Sequence, residues 1–137
     1  MWRQAYQTLE EYLLHDPSIQ VRAAAARAIG ECRLPQGVPV LLKLLAIERS
    51  LDFQRALIDG LAGVRGAAAI DGLIRFLKTN PPVPIRLHLV QTFQRLDNRS
   101  VLPALRELEA TEKDPSVRTA LAEAIRSIQA PASPRPI

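Results

Sequence analysis

Four arginines, Arg22, Arg55, Arg86 and Arg118, stand 33, 31 and 32 residues apart, each at the same point of an apolar helical pattern. A near-constant period of this length marks stacked units, each too small to bury its own apolar face and each covered by the next. With the arginines in register, apolar residues recur three positions on, at Ala25, Ile58, Leu89 and Leu121, and seven positions on, at Ile29, Ala62, Phe93 and Ile125. That spacing is one face of a helix. Its expected start signals are Asp16-Pro17, Ser50, Asn80-Pro81 and Asp114-Pro115. Asp, Ser or Asn caps the free amides there, and proline at the first helical position gives up no hydrogen bond.

A second helix follows in a strict register of 32. Leu9, Leu41, Leu73 and Leu105 align, as do Tyr12, Leu44, Phe76 and Leu108. Leu9 and Tyr12 precede the first arginine, so the array opens on a second helix, and residues 115–129 close it with a first helix. The expected fold is all-α, with about eight helices arranged as a half repeat, three whole repeats and another half within residues 1–130. Residues 131–137 are rich in proline, cannot continue a helix, and are expected to form a flexible tail.

The run Asp16-Pro17-Ser18, Val21-Arg22-Ala23-Ala24-Ala25 and Ala28-Ile29-Gly30, followed by Val38-Pro39-Val40-Leu41-Leu42 and Leu44-Leu45, resembles the HEAT repeat, in particular its short phycobilisome-lyase-like form. Asp114-Pro115-Ser116-Val117-Arg118 and Val101-Leu102-Pro103-Ala104-Leu105 repeat it closely, while Phe53 to Leu77 and Val83-Pro84-Ile85-Arg86 diverge more. The resemblance spans residues 3–129 and implies an α-solenoid, an α-α superhelix of helical hairpins. Such repeats serve unrelated functions, so it implies a fold and not an activity.

The composition suits this fold. Apolar residues make up 47% of the chain and aromatics 4%, so the bulk is Leu, Ala, Ile and Val, which let helices pack closely. No run approaches the roughly 18 apolar residues of a membrane span. The single cysteine, Cys32, excludes an internal disulfide framework, and a cytoplasmic location fits. The four periodic arginines match the whole net charge of +4, which leaves little signal for a polyanionic partner and makes nucleic acid a poor candidate.

Four sets of residues are candidates for function. Arg22, Arg55, Arg86 and Arg118 are expected to form a structural ladder, each guanidinium meeting backbone carbonyls or a capping carboxylate, with Asp16, Asp52 and Asp114 as natural acceptors and Asn80 in the third copy. In HEAT arrays the second helices line the concave side. Counted at about 100° per residue from their buried leucines, the outward row is Glu11, Lys43, Arg75 and Glu107, with Lys78 beside it. This mixed row suits a protein surface better than a phosphate track, and solvated helix surface is the plain alternative. Arg33, Arg65 and Arg99, in the loops within helix pairs, form a basic rim. The open ends of the array, with Trp2, Tyr6, Leu13 and Leu14 at one and Leu121, Ile125 and Ile128 at the other, could dock a partner or a second copy.

Catalytic signatures are absent from the sequence. His15 and His88 are the only histidines and neither begins a His-Glu pair, so the iron site of deoxyhypusine hydroxylase, a HEAT-repeat metalloenzyme of similar architecture, is not reproduced. There is no HExxH, CxxC, phosphate loop or nucleophile elbow, and no cofactor or metal is expected. Cys32 reads as a half-buried thiol and His88 as a packing or surface residue. Adjacent carboxylates such as Glu10 and Glu11 diverge on a helix and read as solvated surface. The leading expectation is a non-catalytic scaffold, adaptor or assembly factor that binds another protein. The resemblance also implies two alternatives: an accessory or fragment of a phycobilin lyase-like protein acting on phycobiliproteins, or a weak nucleic-acid-binding module.

Overall fold

A computed structural model describes residues 2–130; the expected tail, 131–137, and the side chain of Trp2 lie outside the described residues. The helices are α1 (Trp2–His15), α2 (Ile19–Glu31), α3 (Val38–Ile47), α4 (Leu51–Val64), α5 (Ala67–Lys78), α6 (Val83–Leu96), α7 (Leu102–Thr111) and α8 (Pro115–Gln129). One turn of 3-10 helix precedes α3 and another precedes α7. No strand occurs among the described residues. The first helices, α2, α4, α6 and α8, stack successively on one another, and the second helices form the other layer. The result is the two-layered helical solenoid expected from the period.

The caps differ in detail from the sequence expectation. Ser18, not Asp16, caps α2 by accepting from Val21 N–H, and Pro17 lies outside the helix. Asp16 instead accepts from Ser18 N–H at 2.8 Å, which closes the turn. Ser50 and Asp114 cap α4 and α8 as expected, with Pro115 opening α8. Helix α6 begins at Val83 after two prolines and has no side-chain cap. A proline suppresses the helical conformation of the residue before it, so Pro81-Pro82 delays the start.

The core runs between the layers as a ladder of leucines. Leu41, Leu73 and Leu105 are fully buried in the second helices, and Leu57, Leu89 and Leu121 in the first. The α2–α4 junction is the most extensive helix contact, and small residues explain it. A Cβ added at Gly30 would sit 2.6 Å from Gly60 O, and one added at Gly63 would sit 2.7 Å from Gly30 Cα. The two backbones therefore touch through Ala26, Gly30, Gly60 and Gly63. In the other layer α3 packs on α5, whereas α5 and α7 scarcely meet.

The ends of the array differ from the expected pair of open faces. Leu13, Leu121, Ile125 and Ile128 are buried, because α1 packs on α2 and α8 packs on both α6 and α7. Leu14 is exposed.

The glycine seam gives a direct test. A Gly60→Ala chain gains about 1 kcal/mol of helix propensity, but its methyl meets the Ala26 carbonyl and must force the α2 and α4 backbones apart. A net loss of roughly 1–3 kcal/mol is expected in urea unfolding. Gly66→Ala, at the N-cap of α5 with nothing within 4 Å, should lose no more than about 1 kcal/mol, the preference of a cap for glycine over alanine.

Candidate functional site

At the turn entering each first helix the chain reverses, and a backbone carbonyl is left pointing into the helix that follows. Arg22 Nη1 donates to Asp16 O at 2.8 Å and Arg118 Nη1 to Glu112 O at 2.9 Å. Arg86 Nη1 donates to Pro81 O at 2.6 Å and to Asn80 Oδ1 at 3.3 Å. In the second copy the donor is Gln54, whose Nε2 reaches Glu48 O at 2.7 Å. The rungs are thus 22, 54, 86 and 118, a strict 32. Arg55 is out of register: its half-buried side chain pairs with Asp52 at 3.0 Å within the same helix. Gln54 is buried, and its Oε1 has no partner among the described residues, so this rung is the weakest.

The carbonyl acceptors are Asp16, Glu48, Pro81 and Glu112, with Asn80 adding its side-chain oxygen in the third copy, so the carboxylates of Asp52 and Asp114 are not the ladder's acceptors. Two rungs also cross to the next repeat. The Arg22 guanidinium lies over the Phe53 ring, 5.6 Å from its centre. Arg86 grips Glu112 through Nε and Nη2, both at 2.9 Å, while Glu112 also accepts from Asp114 N–H. Glu112 is almost wholly buried, with 3% of its side chain exposed. Burial opposes its ionisation, yet the Arg86 guanidinium and the Asp114 N–H outweigh it and hold the carboxyl below its ordinary range.

A second cluster, not anticipated from sequence, lies where α2, α4 and α6 meet. Asp59 on α4 accepts from Arg27 Nε at 3.2 Å, sits 2.8 Å from His88 Nε2 and is approached by Arg95 at 4.0 Å. Thr92 Oγ1 donates to His88 O and accepts from Arg95. His88 and Thr92 occupy positions that hold Ala24, Ala56 and Ala120, and Ala28, Gly60 and Ala124, in the other copies. That exchange of small residues for polar ones was the available signal. His88 is therefore neither plain packing nor free surface. Burial disfavours the Asp59 charge, but the hydrogen bond and charge of His88, and then Arg27, prevail and lower its pKa. Its carboxylate is spent on cations of the neighbouring helices, so the cluster is a junction tie. No group of three or more potential metal ligands occurs among the described residues.

Glu11, Lys43, Arg75 and Glu107 all lie exposed on successive second helices. Lys78 and Glu107 face each other at 3.7 Å across the gap between α5 and α7, largely in water, so some of the row is satisfied within the chain. Between α3 and α5 lies a groove of about 340 Å³, its floor apolar through Leu42, Leu45 and Phe76, with Gly72 leaving room and Arg75 on its edge. Ile47, 69% exposed, ends α3. The basic rim is less regular than its spacing suggests. Arg33 and Arg65 both take left-handed backbone at helix ends, φ 52° and 69°, but the residue in their register is Asp97, φ 51°. Arg99 sits two residues on, in a 3-10 turn, reaching Gln129 O at 3.5 Å. Cys32, expected half-buried, is exposed at the end of α2.

This hairpin geometry has a sequence counterpart. Residues 6–83 and 70–136 match the family described as HEAT repeats. The chain belongs to the HEAT-repeat family. It is 31% identical over 96 residues to the bilin biosynthesis protein PecE of Mastigocladus laminosus and 28% identical over 96 residues to PecE of a Nostoc species. Each alignment covers 70% of this chain but only 35% and 38% of the relative, so the chain spans little more than a third of the length of the curated relatives it matches. No described helix is long and apolar enough to cross a membrane.

Two measurements test the ladder. Gln54→Ala should cost about 1–2 kcal/mol in chemical unfolding because it orphans the Glu48 carbonyl, while Arg55→Ala stays within about 0.5 kcal/mol of wild type. Asp59 and Glu112 have folded pKa values depressed below 3.8 and 4.5, so their contribution is full above those values and is lost as pH falls through the lower folded ones. Melting temperature should be level near neutrality and drop on acidification, and Glu112→Gln should start lower and show a shallower acid limb.

Proposed function

We propose that this array is a non-catalytic scaffold, adaptor or assembly factor that holds another protein on the face of its second helices. The groove between α3 and α5 carries the reading: an apolar floor with exposed Arg75 on its edge, within the charged row that Lys43 continues on α3, has the anatomy of a small binding hot spot with a polar border. Glu11, Lys78 and Glu107 extend the border with mixed charge, which favours one orientation of the partner. The ladder arginines support the platform from behind and touch no ligand. The basic rim, reduced to Arg33 and Arg65 in register, plays a steering role at most.

The similarity to PecE favours a second reading, in which the chain assists bilin biosynthesis on a phycobiliprotein. It fits within the first, since a scaffold holding a pigment protein would use the same face.

A pull-down from lysate, quantifying protein, nucleic acid and pigment, tests both with wild-type chain and a Lys43→Glu/Arg75→Glu variant whose circular dichroism melt is unchanged. A protein retained by wild type and lost by at least about tenfold in the variant is the expected result. Equal capture by both baits would remove this face from consideration. For the second reading, absorbance is recorded while the chain is titrated into free bilin and into bilin with the apo-phycobiliprotein; an unchanged spectrum in both would count against it.

A further inference from the structure

The layer of first helices is not uniformly tight. Helices α2 and α4 touch backbone to backbone along Gly30, Gly60 and Gly63, but the α4–α6 junction is the least extensive of the three, with His88 and Thr92 standing where the other copies carry small residues. Between α4 and α6 lies a cavity of about 320 Å³, lined on one side by Asp59, Gly63 and Arg65 and on the other by Thr92, Arg95 and Leu96. Its walls belong to first helices and the turn after α4, which sets it apart from the grooved face of the second helices.

The charges around this cavity do not balance. Asp59 is the one carboxylate in its lining, and an uncompensated carboxylate would repel an anion. Its Oδ2, however, accepts from Arg27 Nε at 3.2 Å, and its Oδ1 lies 2.8 Å from His88 Nε2. Arg95 Nη2 donates to Thr92 Oγ1 at 3.2 Å and stays 4.0 Å from Asp59, too far for a hydrogen bond. Among the described residues Arg95 Nε and Nη1 have no acceptor, and the Arg65 guanidinium has none either. Arg27, Arg65 and Arg95 against Asp59 leave the cluster at +2 before any proton on His88. Asp97, at the end of α6, is outside the lining. The cleft between α6 and α8 makes the contrast: there Glu123 stands with Arg126 and no cationic excess remains.

Backbone conformation singles out the same arginine. Arg65 caps α4 in the left-handed region, φ 69° and ψ −11°, a conformation that glycine meets without strain. Strained backbone beneath a donor-rich side chain at the edge of a cavity points to a use for that side chain.

We propose that this cavity is an oxyanion site, in which Arg65 and Arg95 donate to the oxygens of a phosphate or carboxylate group carried by a small ligand. Two planar guanidinium forks suit such a group, and Thr92 holds one of them in place. Arg65 can do no more than steer a partner seated on the second-helix face; its part in this cavity is separate, and the site stands or falls independently of the scaffold reading. An anion shared by α4 and α6 would also tie the array where its first-helix packing is thinnest.

Titration of inorganic phosphate and of succinate into the full chain, up to about 20 mM with sodium chloride holding the ionic strength constant, tests this by amide and arginine Nε chemical shifts. Saturable shifts are expected at Gly63, Arg65, Thr92 and Arg95, together with a rise in melting temperature, because a ligand bound only by the folded chain stabilises it. The tighter of the two anions identifies the group, phosphate or carboxylate, that the natural ligand carries. Arg65→Gln/Arg95→Gln, at exposed sites, should lower the affinity by at least about tenfold with the unliganded melt unchanged. Arg65→Gly, which relieves the left-handed backbone, should lower it too, whereas Arg33→Gln, at the other left-handed arginine of the rim, should not. No saturable shift with either anion, shifts that follow Arg33 and Arg99 as closely as Arg65, or binding retained by Arg65→Gln/Arg95→Gln would each overturn the proposal.

Discussion

The contact on which the array depends is a hydrogen bond between a side-chain donor early in each first helix and a carbonyl in the turn just before it. A chain that reverses direction between packed helices leaves carbonyl groups where water has poor access, and an unpaired carbonyl there is costly. Arg22, Gln54, Arg86 and Arg118 each settle that cost and in doing so set the angle at which the helix leaves its turn. The donors recur at a strict 32 and each reaches a carbonyl five or six residues before it, so the bond holds the period even where the apolar residues drift. Arg22 and Arg86 then carry the contact across to the next repeat, through an aromatic face and a buried carboxylate.

The two layers solve different packing problems. First helices bear the array's continuity and approach one another through alanine and glycine at the α2–α4 junction. At the next junction His88 and Thr92 replace small residues, and close approach gives way to a polar tie on Asp59. The second helices are spaced more widely, which leaves grooves between them. A fold assembled from near-identical units thus reserves its individuality for a few positions where the unit pattern is broken.

Much of this was legible in the chain. Leu41, Leu73 and Leu105 are buried where their period of 32 put them, with Leu9 half-buried, and the eight described helices follow from apolar spacing and punctuation. One rung of the ladder is misplaced when residue type is given priority over register: Arg55 matches its neighbours in chemistry, Gln54 in position, and position decides which side chain can reach the turn. Asp59 was invisible because its partners lie 32 and 29 residues away on different helices, and only the substitution of His88 for alanine hinted at them. Leu121, Ile125 and Ile128 look uncovered in sequence because a linear pattern does not distinguish the face turned to the other layer from the face turned to the next repeat. Conformation at the turns was also out of reach, since nothing in Arg33 or Arg65 announces left-handed backbone.

The glycine seam has a mechanical consequence. Where Gly30, Gly60 and Gly63 bring two helix backbones into contact, the first-helix layer cannot be compressed further, but it can act as a fulcrum. The opposite layer is held by side chains across α3 and α5 and by little more than the Lys78–Glu107 pair across α5 and α7. A change in spacing between neighbouring repeats would therefore meet more resistance from the first-helix layer than from the second.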